Sequence, residues 1–252
     1  MTKANSLRAI MVCGLSLASY SAFAAPTAQE IVAKAKAVMK GAKTYQATLQ
    51  MVTSGGPMTM NMNAHIKTTG AKTWAQVAMN MSGAGAQQNP MAAMLQNIQV
   101  YDDGVNTWTY LPSMKQYKKG PSGGAQRFNF GDQFLSKVGT DSTLKLVGTE
   151  NVSGKPAYAI EASPKNAKPG QGEKVTLYFD QASYHFVQMK ANQSRPGANG
   201  APGMNQSVVM VIKDEKINQP IPDSTFKFTP PAGAKEMQGN AGMMFGGAPK
   251  RK

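Results

Sequence analysis

The chain has few side chains with which to do catalysis. It holds two histidines and one cysteine in 252 residues. His65 and His185 each fall in a predicted strand, with no acid and nucleophile set beside them, which is the setting of a surface histidine. Asp102-Asp103-Gly104 places two carboxylates side by side. Asp-Gly between two apolar runs is a tight-turn signal, however, and there Asp serves the backbone. The glycines gather in loops, and none forms the strand–loop–helix pattern that cradles phosphate. The sequence nominates no catalytic residue, no metal ligand set of the Cys/His kind and no cofactor.

Methionine stands apart. There are 18, and Met58, Met60 and Met62 share one face of a single predicted strand. Three readings stay open. Thioethers are soft ligands, so a Met-x-Met-x-Met strand with His65 nearby could hold Cu(I). An unbranched, polarizable side chain also suits a surface that must fit variable apolar ligands. The third reading is a plain core that uses methionine as filler.

Residues 1–24 read as an export signal. Lys3 and Arg8 precede an apolar run from Ala9 to Ala18, and Ala22-Phe23-Ala24 supplies the small-x-small pattern of a cleavage site. The run is too short to remain as a membrane anchor. Cleavage after Ala24 puts the mature protein in the periplasm and removes Cys13, leaving no thiol and no disulfide. The 228 residues left form one large or two small domains. Taking the two leader charges from a net +14 leaves +12. Such a surplus fits either anionic partners or simply the lysine-rich surface of a soluble protein. Export argues against nucleic acid and for phospholipid or lipopolysaccharide head groups.

The mature chain should open with a helix over 27–40. Thr27 and Glu30 make a capping-box pair, Ile31, Ala35, Val38 and Met39 recur at helical spacing, and Gly41 is the stop. The period then changes to two. Strands over 45–51, 58–66 and 76–81 each carry one apolar face: Leu49 and Met51; Met58, Met60, Met62 and Ile66; Val77 and Met79. A hairpin joins 99–102 to 105–110 about Asp103-Gly104, with Trp108 and Tyr110 on one side. Short apolar helices are expected over 90–98 and 128–135. Five more strands follow, over 143–150, 155–162, 173–180, 184–192 and 206–217. The fold class is α+β, mainly β: roughly ten strands in a single curved antiparallel sheet, a half-open barrel, with helices covering an apolar concave face. One domain spans 25–237, and 238–252 form a disordered, basic, Gly/Met-rich tail.

Two segments resemble a known family. Tyr101-Asp102-Asp103-Gly104-Val105-Asn106-Thr107-Trp108-Thr109-Tyr110-Leu111-Pro112, followed by Gln116-Tyr117, is similar to the hairpin of the periplasmic lipoprotein carrier superfamily (LolA/LolB-like, outer-membrane lipoprotein-sorting proteins). Asp223-Ser224-Thr225-Phe226-Lys227-Phe228-Thr229-Pro230-Pro231-Ala232-Gly233 resembles its C-terminal segment. Val175-Thr176-Leu177-Tyr178-Phe179-Asp180 resembles its strand ending in Asp before a turn. The resemblance implies a half-open, eleven-stranded antiparallel barrel whose helices lid an apolar cavity for acyl chains. This chain departs from the carriers in having no arginine between Arg8 and Arg127, where their early strand uses one to hold the lid.

Taken together, the sequence reads as a periplasmic, non-enzymatic carrier or binding protein for acyl chains, acting in outer-membrane lipoprotein or lipid sorting. The expected cavity lining is Leu49, Met51, Met58, Met60, Met62, Ile66, Val77, Met79, Trp108 and Tyr110. Expected partners are lipid or lipoprotein acyl chains, an anionic membrane surface, and membrane-bound donor or acceptor proteins, with no nucleic acid. Two rivals remain: a lipid or stress sensor on the same fold, and a Met-rich copper-binding protein.

Overall fold

The computed structural model describes residues 25–55, 58–83, 96–123, 135–165, 174–195 and 204–237. The expected export signal, residues 90–95 and 128–134 of the two expected short helices, most of the Pro/Gly/Asn loop near 196–203 and the basic tail lie outside the described residues; 96–97 form a turn and Ile98 opens a strand, so the first of those helices does not extend to 98 as expected.

Helix α1, Ala28–Lys40, begins as its sequence requires. Glu30 N donates to Thr27 Oγ1 at 3.2 Å, and Thr27 N donates to the Glu30 carboxylate at 2.8 Å. Two backbone donors that a helix start leaves orphaned are thereby satisfied. Among the described residues, twelve strands and a second helix follow. They are β1 Thr44–Ser54, β2 Met58–Thr69, β3 Lys72–Gly83, β4 Ile98–Asp102, β5 Asn106–Leu111, β6 Gln116–Pro121, α2 Leu135–Asp141, β7 Ser142–Val152, β8 Lys155–Pro164, β9 Lys174–Asp180, β10 Phe186–Arg195, β11 Met204–Ile217 and β12 Lys235–Glu236.

All twelve strands form one sheet in the order β12-β6-β5-β4-β3-β2-β1-β11-β10-β9-β8-β7. The two ends of that order do not meet, so the sheet stays open. Strands β1 to β11 pair antiparallel throughout, and β12 adds in parallel to β6. The expected ten strands become twelve for a local reason. Gln116-Tyr117-Lys118-Lys119-Gly120-Pro121 has no apolar alternation and runs into the expected break that Gly120 opens, yet it pairs with β5. β12 is only two residues long.

One face of the sheet carries the core. Ala47, Leu49, Ala64, Ile66, Ala75 and Val77 from β1–β3 are buried together with Ile160, Leu177 and Phe179 from β8 and β9. Each large aliphatic side chain so buried contributes about 1.5–3 kcal/mol. Helix α1 buries Ala28, Ile31, Val32 and Ala35 in the same cluster, whereas Val38 is only half-buried. It packs against α2 and β7. Lys34 Nζ donates to Tyr184 Oη at 3.1 Å, and Tyr184 stacks on Tyr158. The helix is thus seated toward the β7–β10 side of the sheet.

The opposite face is held by a strap. After β11, Asn218 N donates to Thr44 O at 2.9 Å and Thr44 Oγ1 donates to Gln219 O at 2.6 Å. The chain then passes the start of β3, where Lys72 pairs with Asp223 at 2.9 Å. It reaches the sheet edge as β12, with Lys235 N on Lys115 O and Met237 N on Tyr117 O. Midway, the Phe228 ring lies between Tyr101, Trp108, Tyr110 and Tyr117, with centroids 5.2–6.2 Å away. The Lys72–Asp223 pair is exposed on both sides (37% and 72%) and so adds less than about 1 kcal/mol. The ring cluster carries the attachment. Phe228→Ala should lower stability by about 2–3 kcal/mol, somewhat below the cost for a fully buried Phe, while Asp223→Ala stays within about 0.5 kcal/mol. Urea melts of both variants check this, and equal effects would show that the ion pair holds the strap.

Candidate functional site

The period-two expectation for β1–β3 can be tested residue by residue through the register. Directly opposed residues of an antiparallel pair share a face. Met51 faces Met62, and Met62 faces Met79. Leu49 faces Ala64, which faces Val77, while Ile66 faces Ala47 and Ala75. Leu49, Ile66 and Val77 are buried, and Met51, Met60, Met62 and Met79 are half-buried. Asn61 and His65 are exposed on the other face. Met58 holds its place in β2 opposite Gly83, but its side chain lies outside the described ones.

The same register extends further than the sequence suggests. Met51 also faces Met210 of β11, and Met210 faces Met189 of β10. One cross-strand row therefore runs Met189, Met210, Met51, Met62, Met79 over five adjacent strands, with Leu177 of β9 continuing it. One step along, Thr53, Met60 and Met81 form a second row. Sequence reasoning missed Met81, Met189 and Met210. Each sits in a predicted strand or at its end: Met81 pairs with Met60 of the neighbouring strand, whereas the alignment of Met210 with Met51 is a property of pairing between strands more than 150 residues apart.

Trp108 and Tyr110 are corrected. They lie on the same side of the β4–β5 hairpin, but on the face of the sheet opposite the methionines. Trp108 faces Tyr101 and Lys119; Tyr110 faces Gln99, which faces Gln76, which faces His65. Tyr110 is buried and Trp108 half-buried beneath the strap, so both serve that attachment rather than the apolar face. His65 is on this outer side too, with its Nδ1 3.0 Å from Thr48 Oγ1, so it does not accompany the methionines.

The carboxylates that might have done chemistry are held in turns. Asp102 is fully buried. It accepts from Gly104 N at 2.9 Å, Thr107 Oγ1 at 2.7 Å and Ser122 Oγ at 2.8 Å. Burial works against its charge, but these bonds outweigh it and keep the carboxyl below the usual range. Asp180 accepts from Ala182 N, Ser183 N and Ser183 Oγ in the β9–β10 turn.

A cavity of about 670 Å³ lies away from the methionine rows, where the sheet splits. β10 and β11 pair only from Gln188 and Val211 onward. Each also has a shifted register beside the gap: β10 between Phe186 and Gln188, and β11 opposite Gln46–Thr48, with Asp214 at φ +52°. His185 Nδ1 bonds the Glu215 carboxylate across this gap. That bond pushes the imidazole pKa up against the opposing effect of burial, and the Glu215 and Asp180 charges add to it. Burial pushes the Tyr45 phenol far above its ordinary value, with the Glu215 charge and hydrogen bond adding to it. Lys155 and Lys213 line the rim. The arrangement bridges the gap in the sheet with a half-buried His–Glu pair, and the Ser183 hydroxyl on the cavity wall donates to Asp180.

No family model matches the sequence, and no curated protein matches it. Solved structures do. The chain is similar to a LolA superfamily protein from Nitrosomonas europaea at 15% identity, covering 81% of this chain and 99% of that one, with a TM-score of 0.35. It is similar to the lipoprotein LppX of Mycobacterium tuberculosis at 16% identity, covering 77% and 96%, with a TM-score of 0.44. It is also similar to an outer-membrane lipoprotein-sorting protein domain from Vibrio parahaemolyticus at 16% identity, covering 79% and 96%, with a TM-score of 0.34. The open sheet of eleven antiparallel strands is what the LolA-like resemblance implies. At such distances function has to be read from this chain's own geometry.

The His185–Glu215 pair makes stability depend on pH with a definite sign. The folded pKa of His185 is raised, so the pair's contribution is fully present below the unfolded value of about 6.5 and is lost as pH rises through the folded value. Urea midpoints should therefore fall as pH is raised from about 6.5 into the alkaline range. His185→Gln should flatten that limb, and an unchanged slope would remove the pair from the account.

Proposed function

We propose that this chain is an exported, non-enzymatic protein that takes up the acyl chains of a lipid or lipoprotein on the methionine-lined face of its open sheet. The observation that carries this reading is the half-burial of Met51, Met60, Met62 and Met79 on the face that elsewhere forms the core. Apolar side chains on a core-bearing face that remain partly accessible form a place for another apolar molecule. Burying an acyl chain there gains about 0.8 kcal/mol per methylene. Methionine suits the task, because its unbranched thioether repacks around chains of differing shape. The open sheet order leaves the face unclosed by strands, and the histidine and carboxylates with chemical potential are tied to structural partners. The resemblance of the hairpin and C-terminal segment to lipoprotein-sorting proteins points the same way, and the periplasm is the compartment that the leader implies.

Native mass spectrometry of the mature protein released from membranes tests the reading directly, with acyl-bearing species of defined mass as the expected result. In a displacement assay with a fluorescent fatty acid, Met62→Lys with Met79→Lys should weaken binding at least about tenfold, since a charge on an apolar lining has to be desolvated. Trp108→Ala, on the other face, should leave affinity unchanged. Ligand-free protein together with wild-type binding in the double-Lys variant would sink the proposal.

The basic surplus is proposed to bring the protein to anionic membrane. Co-sedimentation with vesicles rich in anionic phospholipid should weaken steeply from low salt to physiological salt, where the Debye length is about 8 Å. Deleting residues 238–252 should remove part of it. Binding indifferent to salt and to lipid charge would make the lysines a solubilising surface only.

A further inference from the structure

We propose that Met60, Met62, Met79 and Met81 form an all-thioether site for a soft monovalent cation, Cu(I). The four belong to two adjacent strands and sit at the corners of one rectangle: Met60 faces Met81, and Met62 faces Met79. Opposed Cβ atoms in such pairs are about 5 Å apart, and successive residues on one face are separated by roughly 6.7 Å along the strand. The centre of the rectangle is then about 4 Å from each Cβ. A methionine reaches Sδ two bonds beyond Cβ, and a metal–sulfur bond of about 2.3 Å follows, so all four sulfurs span the distance to a common point. All four are half-buried, unlike Met210 in the same sheet, which is fully buried. An ion can reach them.

The donor set selects the ion. Among the described residues no group of three or more His, Cys, Asp or Glu could hold a metal. Next to the rectangle on this face are Met51, Thr53, Ala64 and Val77, so the only further polar atom beside it is the Thr53 hydroxyl and the only further donor of the same kind is Met51. His65 faces the other way. Neutral thioethers offer nothing to offset the desolvation of a hard divalent ion, whereas soft sulfur donors favour Cu(I). This site shares its face with the proposed acyl-chain lining but does not depend on it. Leucine in place of methionine keeps the face apolar and of similar volume, so it removes the sulfur donors without placing a charge or a large void on that face.

The test is anaerobic titration of the mature chain with Cu(I) in competition with bicinchoninate, repeated with Ag(I), and X-ray absorption of the copper-loaded protein. One ion per chain and a first shell of sulfur alone are expected. Met60→Leu with Met79→Leu should weaken binding at least about tenfold, with the circular dichroism of the fold unchanged. Met114→Leu, on an exposed turn, should bind as the wild type does. Failure to withdraw Cu(I) from bicinchoninate overturns the proposal, as does a shell containing nitrogen or oxygen. So does loss of binding on replacing Met91, Met94, Met243 and Met244 by Leu while the Met60/Met79 variant still binds.

Discussion

Everything in this molecule hangs on the register of β1. That strand lies in the middle of the sheet, with β2 on one side and β11 on the other. Side chains along a strand alternate between faces, so a slip by one residue would exchange the faces completely. With Met51 opposite both Met62 and Met210, the apolar residues of six neighbouring strands come to one side. The core, the methionine rows and the outward placing of His65 and Trp108 are consequences of that one alignment. The bulge opposite Gln46–Thr48 shows how local its control is: it leaves the inner face of Leu49 and Met51 intact while turning Glu215 toward Tyr45 and His185.

The segments that carry the resemblance to lipoprotein carriers prove to be structural. The hairpin supplies Trp108 and Tyr110, the C-terminal segment supplies Phe228, and the two meet. The strand ending in Asp180 supplies the carboxylate that organises its own turn. These residues specify how the open sheet is stapled across its outer face. The face on which a ligand would lie is specified by other residues, with methionine at positions where a fold signature is silent. A fold can in this way be kept by a few turn and aromatic positions while the lining is free to change.

What the sequence made legible follows from range. The capping box of α1, the alternation of β1–β3 and the Asp103-Gly104 turn are interactions between near neighbours, and each stands where its pattern places it. Strand β6 was hidden because its pairing depends on β5 and the strap rather than on its own composition. The side of the sheet on which Trp108 and Tyr110 point was hidden for the same reason: alternation within a hairpin separates two faces but does not say which one the rest of the sheet will bury. The five-strand methionine row needs the pairing of β1 with β11, and no window of sequence contains both.

That pairing also dictates an order of events. β1 is the first strand to be synthesised, and one of its two partners is the last long strand of the domain. The inner face cannot be completed until about 170 residues later, when β11 arrives. Contacts so far apart in sequence are slow to form, since the loop between them must be closed before they contribute. Until then a long strand with an apolar face and an unpaired edge waits in the company of other chains, a condition that invites intermolecular pairing. The polar residues that alternate with the methionines, the exposed Asn61 among them, then protect the nascent chain as well as wetting the outer face of the finished one.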